Sequence, residues 1–385
     1  MNDWQSVCIG DIAYIPRKQP IANPQAIELL TVRLYAKGVE RTGKYPRATE
    51  RGRPYFTRDA GEILIGRQNF HNGGVGVVST ADHGLICSNA ITSLIPAENA
   101  DRDFLFYHLS NTEFRNSIQK QSEGTGQSEI SETKILSLEV TIPPLPEQKK
   151  IAQILSGIDK AIESLGEEIA KASAIHSIAC QQKIADLSLK TEMTTIRSIS
   201  NKIIDYRGKS PPKHETGVPL ITAKNIRKGF IDMNPAEFIQ EDLYAEWMAK
   251  GIPSSGDILV TTEAPLGNVA IAPPIKFAIG QRVICISPDR NSVTSEYLLA
   301  CMKTDDFQRQ LTASATGSTV SGIRQGVLLD SRIPVPGIEL QRMIGSFDFY
   351  ASKLINALTA KRAKLASLKQ SLASDLLTGR KRVTV

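Results

Sequence analysis

VTIPPLPEQKKI, residues Val140 to Ile151, returns as IPVPGIELQRMI, residues Ile333 to Ile344, and this second appearance decides how the chain is read. Proline lacks the backbone N–H and keeps the residue before it out of the helical region, so each string marks where a helix cannot extend upstream. Downstream of the first string Ile151, Leu155, Ile158, Ile162, Leu165, Ile169 and Ala172 step by alternating fours and threes, a coiled-coil seam. Downstream of the second, Ile344, Phe347, Ala351, Leu354, Leu358, Leu365, Leu368 and Leu372 follow the same rule, with Lys361 interrupting it. Gly379 stands where a terminating glycine belongs.

The match is not confined to the helix starts. GEILI (Gly61 to Ile65) answers GDILV (Gly256 to Val260), LLTVRLYAKG (Leu29 to Gly38) answers LITAKNIRKG (Leu220 to Gly229), and TGQSEI (Thr125 to Ile130) answers TGSTVS (Thr316 to Ser321). Four matches in one order make a head-to-tail duplication, with small changes of offset that insertions in surface loops would produce. The spacing predicts four parts: globular segments over 1–145 and 191–336, and long helices over 146–190 and 337–385.

The first helix, from Gln148 to about Leu189, would be on the order of 60 Å long, more than one small domain needs. Each helix could pack on its own domain. The two seams most economically bury each other, and an antiparallel pair would place the globular segments at opposite ends about a pseudo-twofold axis. Within those segments YFTRDAGEILIGRQ and GVGVVSTADHGLICSNAITSLIP alternate apolar and polar residues as strands do. DRDFLFYHLSNTEFRNSIQKQ and its counterpart TSEYLLACMKTDDFQRQLTA each read as one amphipathic helix. The fold class is α+β.

Composition narrows function without choosing it. The 385 residues carry 46 basic and 40 acidic side chains, a formal charge of +6, which permits nucleic-acid binding without demanding it. No apolar run could span a bilayer and the N-terminus lacks the pattern of a secretory leader, so a cytoplasmic location is expected. Cys8, Cys87, Cys180, Cys285 and Cys301 are scattered and never spaced C-x-x-C, which suggests reduced, mostly buried thiols. His71, His83, His108, His176 and His214 form no H-x-x-x-H pair, and no metal is expected.

The strings IPPLPEQKKIAQIL (Ile142 to Leu155), GDILVTTEAPLGNVA (Gly256 to Ala270), IGQRVICISP (Ile279 to Pro288) and the terminal LLTGRKRV (Leu376 to Val383) resemble type I restriction enzyme specificity (S) subunits. The resemblance spans nearly the whole chain because it includes the duplication. It implies two pseudo-symmetric DNA target recognition domains, each reading half of an interrupted duplex target, separated by two long helices that form an antiparallel coiled coil and space them. It also implies assembly with two adenine-methylating modification subunits and with ATP-dependent restriction subunits. S-adenosylmethionine, ATP and magnesium would belong to those partners. One departure stands out: Glu147 in the first copy has Leu340 opposite it in the second, so the two helix starts need not make the same contacts.

Catalytic signatures are missing from the sequence. No N-P-P-Y or D-P-P-Y string occurs, and RGKSPP (Arg207 to Pro212) has Ile203 where a P-loop needs glycine. HNGGVGVV (His71 to Val78) fails the dinucleotide spacing at Ser79. The expectation is a non-catalytic subunit. Two alternatives stay open: a single-chain nuclease using SETK (Ser131 to Lys134) with Asp101 or Asp103, and a scaffold whose repeated domains bind proteins.

Base edges are read by Arg, Lys, Asn and Gln, and phosphates by these together with Ser, Thr and backbone amides. Candidates in the first domain are Arg67, Gln68 and Asn69 after the GEILI strand, with Lys44, Arg51 and Arg53. In the second they are Tyr206, Arg207 and Lys209, plus Lys224, Asn225 and Arg227 after the LITA strand. The glycine-bearing loops offer Thr125 and Gln127, and Ser318 and Thr319, to phosphates, although a plain turn explains them nearly as well. The helix-pair or partner interface is expected at Ile151, Leu155, Ile158, Ile162, Leu165, Ile344, Phe347, Ala351, Leu354, Leu358 and Leu365.

Overall fold

The computed structural model describes residues 4–47, 54–122, 129–206, 211–234, 236–313 and 322–384. It comprises two compact units, Met1–Leu165 with Lys361–Val385, and Gly166–Ala360. The first holds β1 (Gln5–Cys8), α1 (Ile9–Ile12), β2 (Ala13–Tyr14), β3 (Leu30–Val32), β4 (Val39–Arg41), β5 (Tyr55–Thr57), β6 (Ile63–Gly66), β7 (Val75–Val77), β8 (Ile86–Ser88), β9 (Ile91–Pro96), α2 (Arg102–Ser110), α3 (Thr112–Ser122), α4 (Glu132–Leu136) and β10 (Glu139–Ile142). A long helix α5 (Leu145–Ser188) begins in it. The second holds β11 (Met193–Thr195), β12 (Ser200–Asp205), β13 (Val218–Ile221), β14 (Phe238–Ile239), α6 (Tyr244–Trp247), β15 (Ile258–Thr261), β16 (Val269–Ile271), β17 (Ala278–Ile279), β18 (Val283–Pro288), α7 (Ser295–Met302), α8 (Asp305–Ala313), α9 (Gln325–Asp330) and β19 (Arg332–Pro334). From it starts the other long helix, α10 (Ile338–Leu377).

The duplication is visible strand by strand. A four-stranded antiparallel sheet runs β2-β9-β6-β7 in the first unit and β12-β18-β15-β16 in the second. The strand opening each unit pairs antiparallel with the strand just before its long helix, β1 with β10 and β11 with β19. GEILI and GDILV supply the central strands β6 and β15, and Ile63, Leu64, Ile65, Ile258, Leu259 and Val260 are fully buried. Their leading glycines, Gly61 and Gly256, have φ of +89° and +88°, a conformation that side chains resist. The acid that follows is buried in both units and hydrogen-bonded, as a buried charge must be. Ser93 Oγ donates to Glu62 at 2.7 Å, and Asp257 accepts from the Ser254 amide and the Ser287 hydroxyl at 2.8 and 2.9 Å.

The segment expected as one amphipathic helix is broken in both copies. Asn111 separates α2 from α3, its Oδ1 accepting from the Glu113 and Phe114 amides, and Thr304 does the same for α8 through the Phe307 amide. A side-chain acceptor next to the backbone competes with continuation of the helix and caps a new one.

Each unit packs its sheet and short helices against the long-helix segments it contains. Ile151, Ala152 and Leu155 of α5 and Leu376 and Leu377 of α10 join the core of the first unit; Ile184 and Leu187 of α5 and Ile344 of α10 join that of the second. In the first unit Lys369 Nζ donates to both oxygens of Asp159, at 2.6 and 2.7 Å, and Arg362 Nε donates to the Ile162 carbonyl at 3.3 Å. Rising numbers on α5 thus meet falling numbers on α10, so the two helix segments within this unit run antiparallel.

The seam of α10 differs from the expected one. Phe347 and Leu354, read as interface residues, are 46% and 57% exposed, as is Leu368 at 57%. The inward position one residue beyond Phe347 is Asp348, at 2% exposure, and Ile355 and Lys369 lie inward of Leu354 and Leu368. Polar residues hold two seam positions, so the apolar steps of the sequence fall on the neighbouring outward residues. Gly379 lies beyond the helix with φ +73°.

Candidate nucleic-acid interface

In the first unit two loops meet at one end of the sheet. Arg67–Asn69 forms a 3-10 turn directly after β6, and the Arg67 amide donates to the Ala90 carbonyl just before β9. The β3–β4 hairpin reaches the same place: the Tyr35 and Ala36 amides donate to the Asn72 and Gly73 carbonyls at 2.7 and 2.8 Å. Tyr35 and Ala36 sit at φ +60° and +54°, uncommon for residues with a Cβ and a form of strain that clusters at binding loops. Gly76 allows the approach, since a Cβ there would stand 2.6 Å from the Gly38 carbonyl carbon. Behind the loop the buried Arg115 donates to the His71 carbonyl at 2.7 Å, and burial lowers its pKa.

Arg67, Gln68 and Asn69 are therefore brought together as the sequence suggested. Gln68 and Asn69 are exposed. Arg67 is half-buried and paired with Glu129 at 2.7 Å, which makes it an anchor between the turn and the segment before α4. Lys44 is exposed beyond β4. Arg51, Arg53, Thr125 and Gln127 lie outside the described residues.

The second unit builds the same end of its sheet from different residues. The Thr262 amide donates to the Arg282 carbonyl, the counterpart of the Arg67-to-Ala90 bond. Arg282 has φ +69° and Ala264 φ +45°, so strain gathers here too. Arg282 pairs with Glu263 at 2.8 Å. The two loops border a cavity of about 180 Å³ lined in part by Lys213, Thr222, Lys224, Gln281 and Arg282.

Lys224 and Arg227 are exposed on the loop after β13. Asn225 is buried and shapes that loop: its Oδ1 accepts from the Thr222 amide and hydroxyl at 3.0 and 2.9 Å, and its Nδ2 donates to the Asp232 carbonyl. Tyr206 is also buried, its hydroxyl bonded to the Gly251 backbone and its ring stacked on Trp247 at 5.7 Å. Both are loop-building residues in this structure. Arg207, Lys209, Ser318 and Thr319 lie outside the described residues.

Three cations of the two ends are held by partly exposed acids, Arg67 by Glu129, Arg227 by Asp232 and Arg282 by Glu263, while Lys213 is held by the largely buried Glu237. The Asn234 amide, and after it Arg227, holds the Asp232 carboxyl below the ordinary aspartate range. Exposed pairs of this kind are worth little, so exchanging the acid for a phosphate or a base edge costs little. Sequence reasoning missed Gln281, Arg282, Lys213 and the hairpin tip at Tyr35 and Lys37. The strand signal of IGQRVICISP was present, but only pairing β18 beside β15 places its leading residues, Gln281 and Arg282, at the rim of the second unit's cavity.

A family model described as type I restriction modification DNA specificity domain matches residues 1–173 and again 191–369. The type I restriction enzyme MjaVIII specificity subunit of Methanocaldococcus jannaschii is 24% identical over 99% of this chain and 94% of its own. The type I restriction enzyme EcoBI specificity subunit of Escherichia coli is 21% identical over 71% of this chain and 65% of its own. Among solved structures, the type I restriction-modification S subunit from M. genitalium superposes with a TM-score of 0.65 at 16% identity, covering 99% of this chain and 97% of that one, a likeness of fold.

Proposed function

Because this chain belongs to the type I restriction-modification DNA specificity family, we propose that it reads a two-part duplex target and directs partner subunits to methylate adenine and to restrict unmodified DNA. The observation that carries this reading is the pair of equivalent sheet ends, built on one backbone plan yet bearing different polar side chains: Arg67, Gln68 and Asn69 at one, Lys224, Gln281 and Arg282 at the other. Equal frames with unequal readers suit two different half-sites. In the same reading the long helices set the unspecified gap, the chain does no chemistry itself, and S-adenosylmethionine, ATP and magnesium act in the partners.

A second observation favours docking of a modification subunit on α10. Met343, Phe347, Tyr350 and Leu354 step by four, three and four and are all exposed, a continuous apolar stripe on one face. The corresponding residues of α5 are Lys150, Ile154, Gly157 and Ala161, so the second copy offers an apolar grip that the first lacks. Among the described residues no helix is long and apolar enough to cross a membrane.

Methylation mapping in cells carrying the complete system tests the reading. It should show modified adenine in a two-part motif, and exchange of residues 1–145 for those of a relative should change one half only. Simultaneous change of both halves would refute the division of labour. Phe347→Ser with Tyr350→Ser should reduce recovery of the modification subunit with this chain.

A further inference from the structure

We propose that His176, Cys180 and Asp348 form a zinc-binding site within the second unit. His176 and Cys180 stand one turn apart on α5, so both side chains leave the helix on the same face. Asp348 arrives from α10. His176 Nε2 lies 2.9 Å from Asp348 Oδ1, Cys180 Sγ lies 3.9 Å from the same oxygen, and the three donor atoms all fall within 4.8 Å of one another. Tetrahedral zinc, with ligand bonds of roughly 2.0 Å to nitrogen and oxygen and 2.3 Å to sulfur, holds its ligand atoms about 3.3–3.8 Å apart. Shifts on the order of 1 Å bring these three into that range.

The equivalent place in the first unit shows what a purely ionic tie between the helices looks like. There Lys369 of α10 takes both oxygens of Asp159, and Tyr107 of α2 adds a hydroxyl at 2.8 Å. His176 is the counterpart of Lys369, and Cys180 that of Ala373, each 193 residues away. In the second unit the ionic role is already filled: Lys303 donates to both Asp348 oxygens at 2.7 and 2.8 Å. An imidazole and a thiol facing the same carboxylate are not needed to neutralise it. They are the residue types zinc takes, and one ion there would tie α5 to α10.

The site also has room for the fourth ligand of a three-residue zinc centre. A cavity of about 300 Å³ opens beside it, with Ser173, Ser177, Gln181 and Asn356 in its wall. A water ligand there would find polar partners. Lys303 can stay on the second oxygen of Asp348 while the first binds metal. The lack of an H-x-x-x-H pair points to no metal in the sequence, but the helical pair here is His-x-x-x-Cys and its third member lies 168 residues further along.

The test uses the full chain, stripped with a chelator and titrated with Co²⁺ as a spectroscopic stand-in for zinc. One equivalent should bind with a thiolate-to-cobalt charge-transfer band and tetrahedral d–d bands, and Zn²⁺ should displace it. Cys180→Ser should abolish the charge-transfer band, and Cys8→Ser should leave it unchanged. His176→Ala should weaken Co²⁺ binding by roughly 100-fold or more, since loss of a group that merely supports a ligand already costs 10–100-fold. Lys303→Met should tighten it by removing the competing ammonium. Absence of the band in the folded wild-type chain, or its survival in Cys180→Ser, would overturn the site.

Discussion

Gln148 and Gln341, 193 residues apart, make the same three hydrogen bonds. Gln148 accepts from the Asp101 amide at 2.8 Å and donates to the Pro143 and Asn99 carbonyls at 2.9 and 3.2 Å. Gln341 accepts from the Thr294 amide at 2.9 Å and donates to the Pro336 and Ser292 carbonyls at 2.8 and 2.9 Å. Each glutamine is buried and ties the start of a long helix to the capping residue of the short helix above it, α2 or α7. Gln148→Leu should strand one amide and two carbonyls and destabilise the first unit by about 3 kcal/mol. Hydrogen exchange should show β1 and β10 losing protection while β11 and β19 keep theirs; Gln341→Leu should do the reverse.

The partner asymmetry at Glu147 has its own consequence. Arg382 donates to both Glu147 oxygens at 2.7 Å, which secures the C-terminal RKRV to the start of α5 and holds the Glu147 carboxyl below its ordinary pKa. Glu147 is buried and Arg382 is partly exposed. Removing the arginine leaves a carboxylate stranded, whereas removing the acid leaves a guanidinium that can reach water. Arg382→Ala should therefore destabilise the first unit by about 2 kcal/mol, and Glu147→Leu, which copies Leu340 of the second repeat, by less. Chemical denaturation of the two variants decides the order.

The repeat itself was legible because glycine, acid and branched residues recur around β6 and β15, and because prolines bracket both helix starts. Tertiary demands hid the rest. Asp348 and Lys369 occupy inward helix positions without an apolar side chain, the first buried and the second partly buried against a partner far away in the chain, Lys303 or Asp159. Asn225 looked like a reader because its type suits adenine. Its burial follows from Thr222 and Asp232 folding around it. Arg282, the residue just before β18, has no distinguishing pattern in sequence until the neighbour strands are known.

Acid should act on the first unit more than on the second. His108 is buried beside Phe104 and Phe114, and burial pushes its pKa from 6.5 down to about 4. The unfolded chain takes up a proton near pH 6.5 and the folded chain only near pH 4, so stability is full above about 6.5 and declines as pH falls through that window. The loss amounts to about 3 kcal/mol and levels off below pH 4, where both states are protonated. The second copy carries Cys301 in this place, a buried thiol with its pKa pushed up, neutral throughout. His108→Cys should flatten the decline measured by urea midpoints between pH 4 and 6.5.

Base reading and loop anchoring should separate in mutants of the first sheet end. Gln68 and Asn69 are exposed with their amides available to a groove, whereas Arg67 holds Glu129 and keeps the turn against the segment before α4. A side chain that bonds a base edge is worth roughly 1–3 kcal/mol at one base pair and nothing at the others. Gln68→Ala or Asn69→Ala should then relax one position of one half-site, with the other half unchanged. Arg67→Ala should loosen the whole turn and weaken binding at every position of that half-site together. Arg282→Ala should behave as a reader for the other half, because its partner Glu263 is exposed enough to give it up. Binding of the assembled complex to a library of targets varied one base pair at a time separates the two patterns. A uniform loss in Gln68→Ala, Asn69→Ala and Arg282→Ala alike would place these side chains on phosphates and move base recognition to other residues of the same loops.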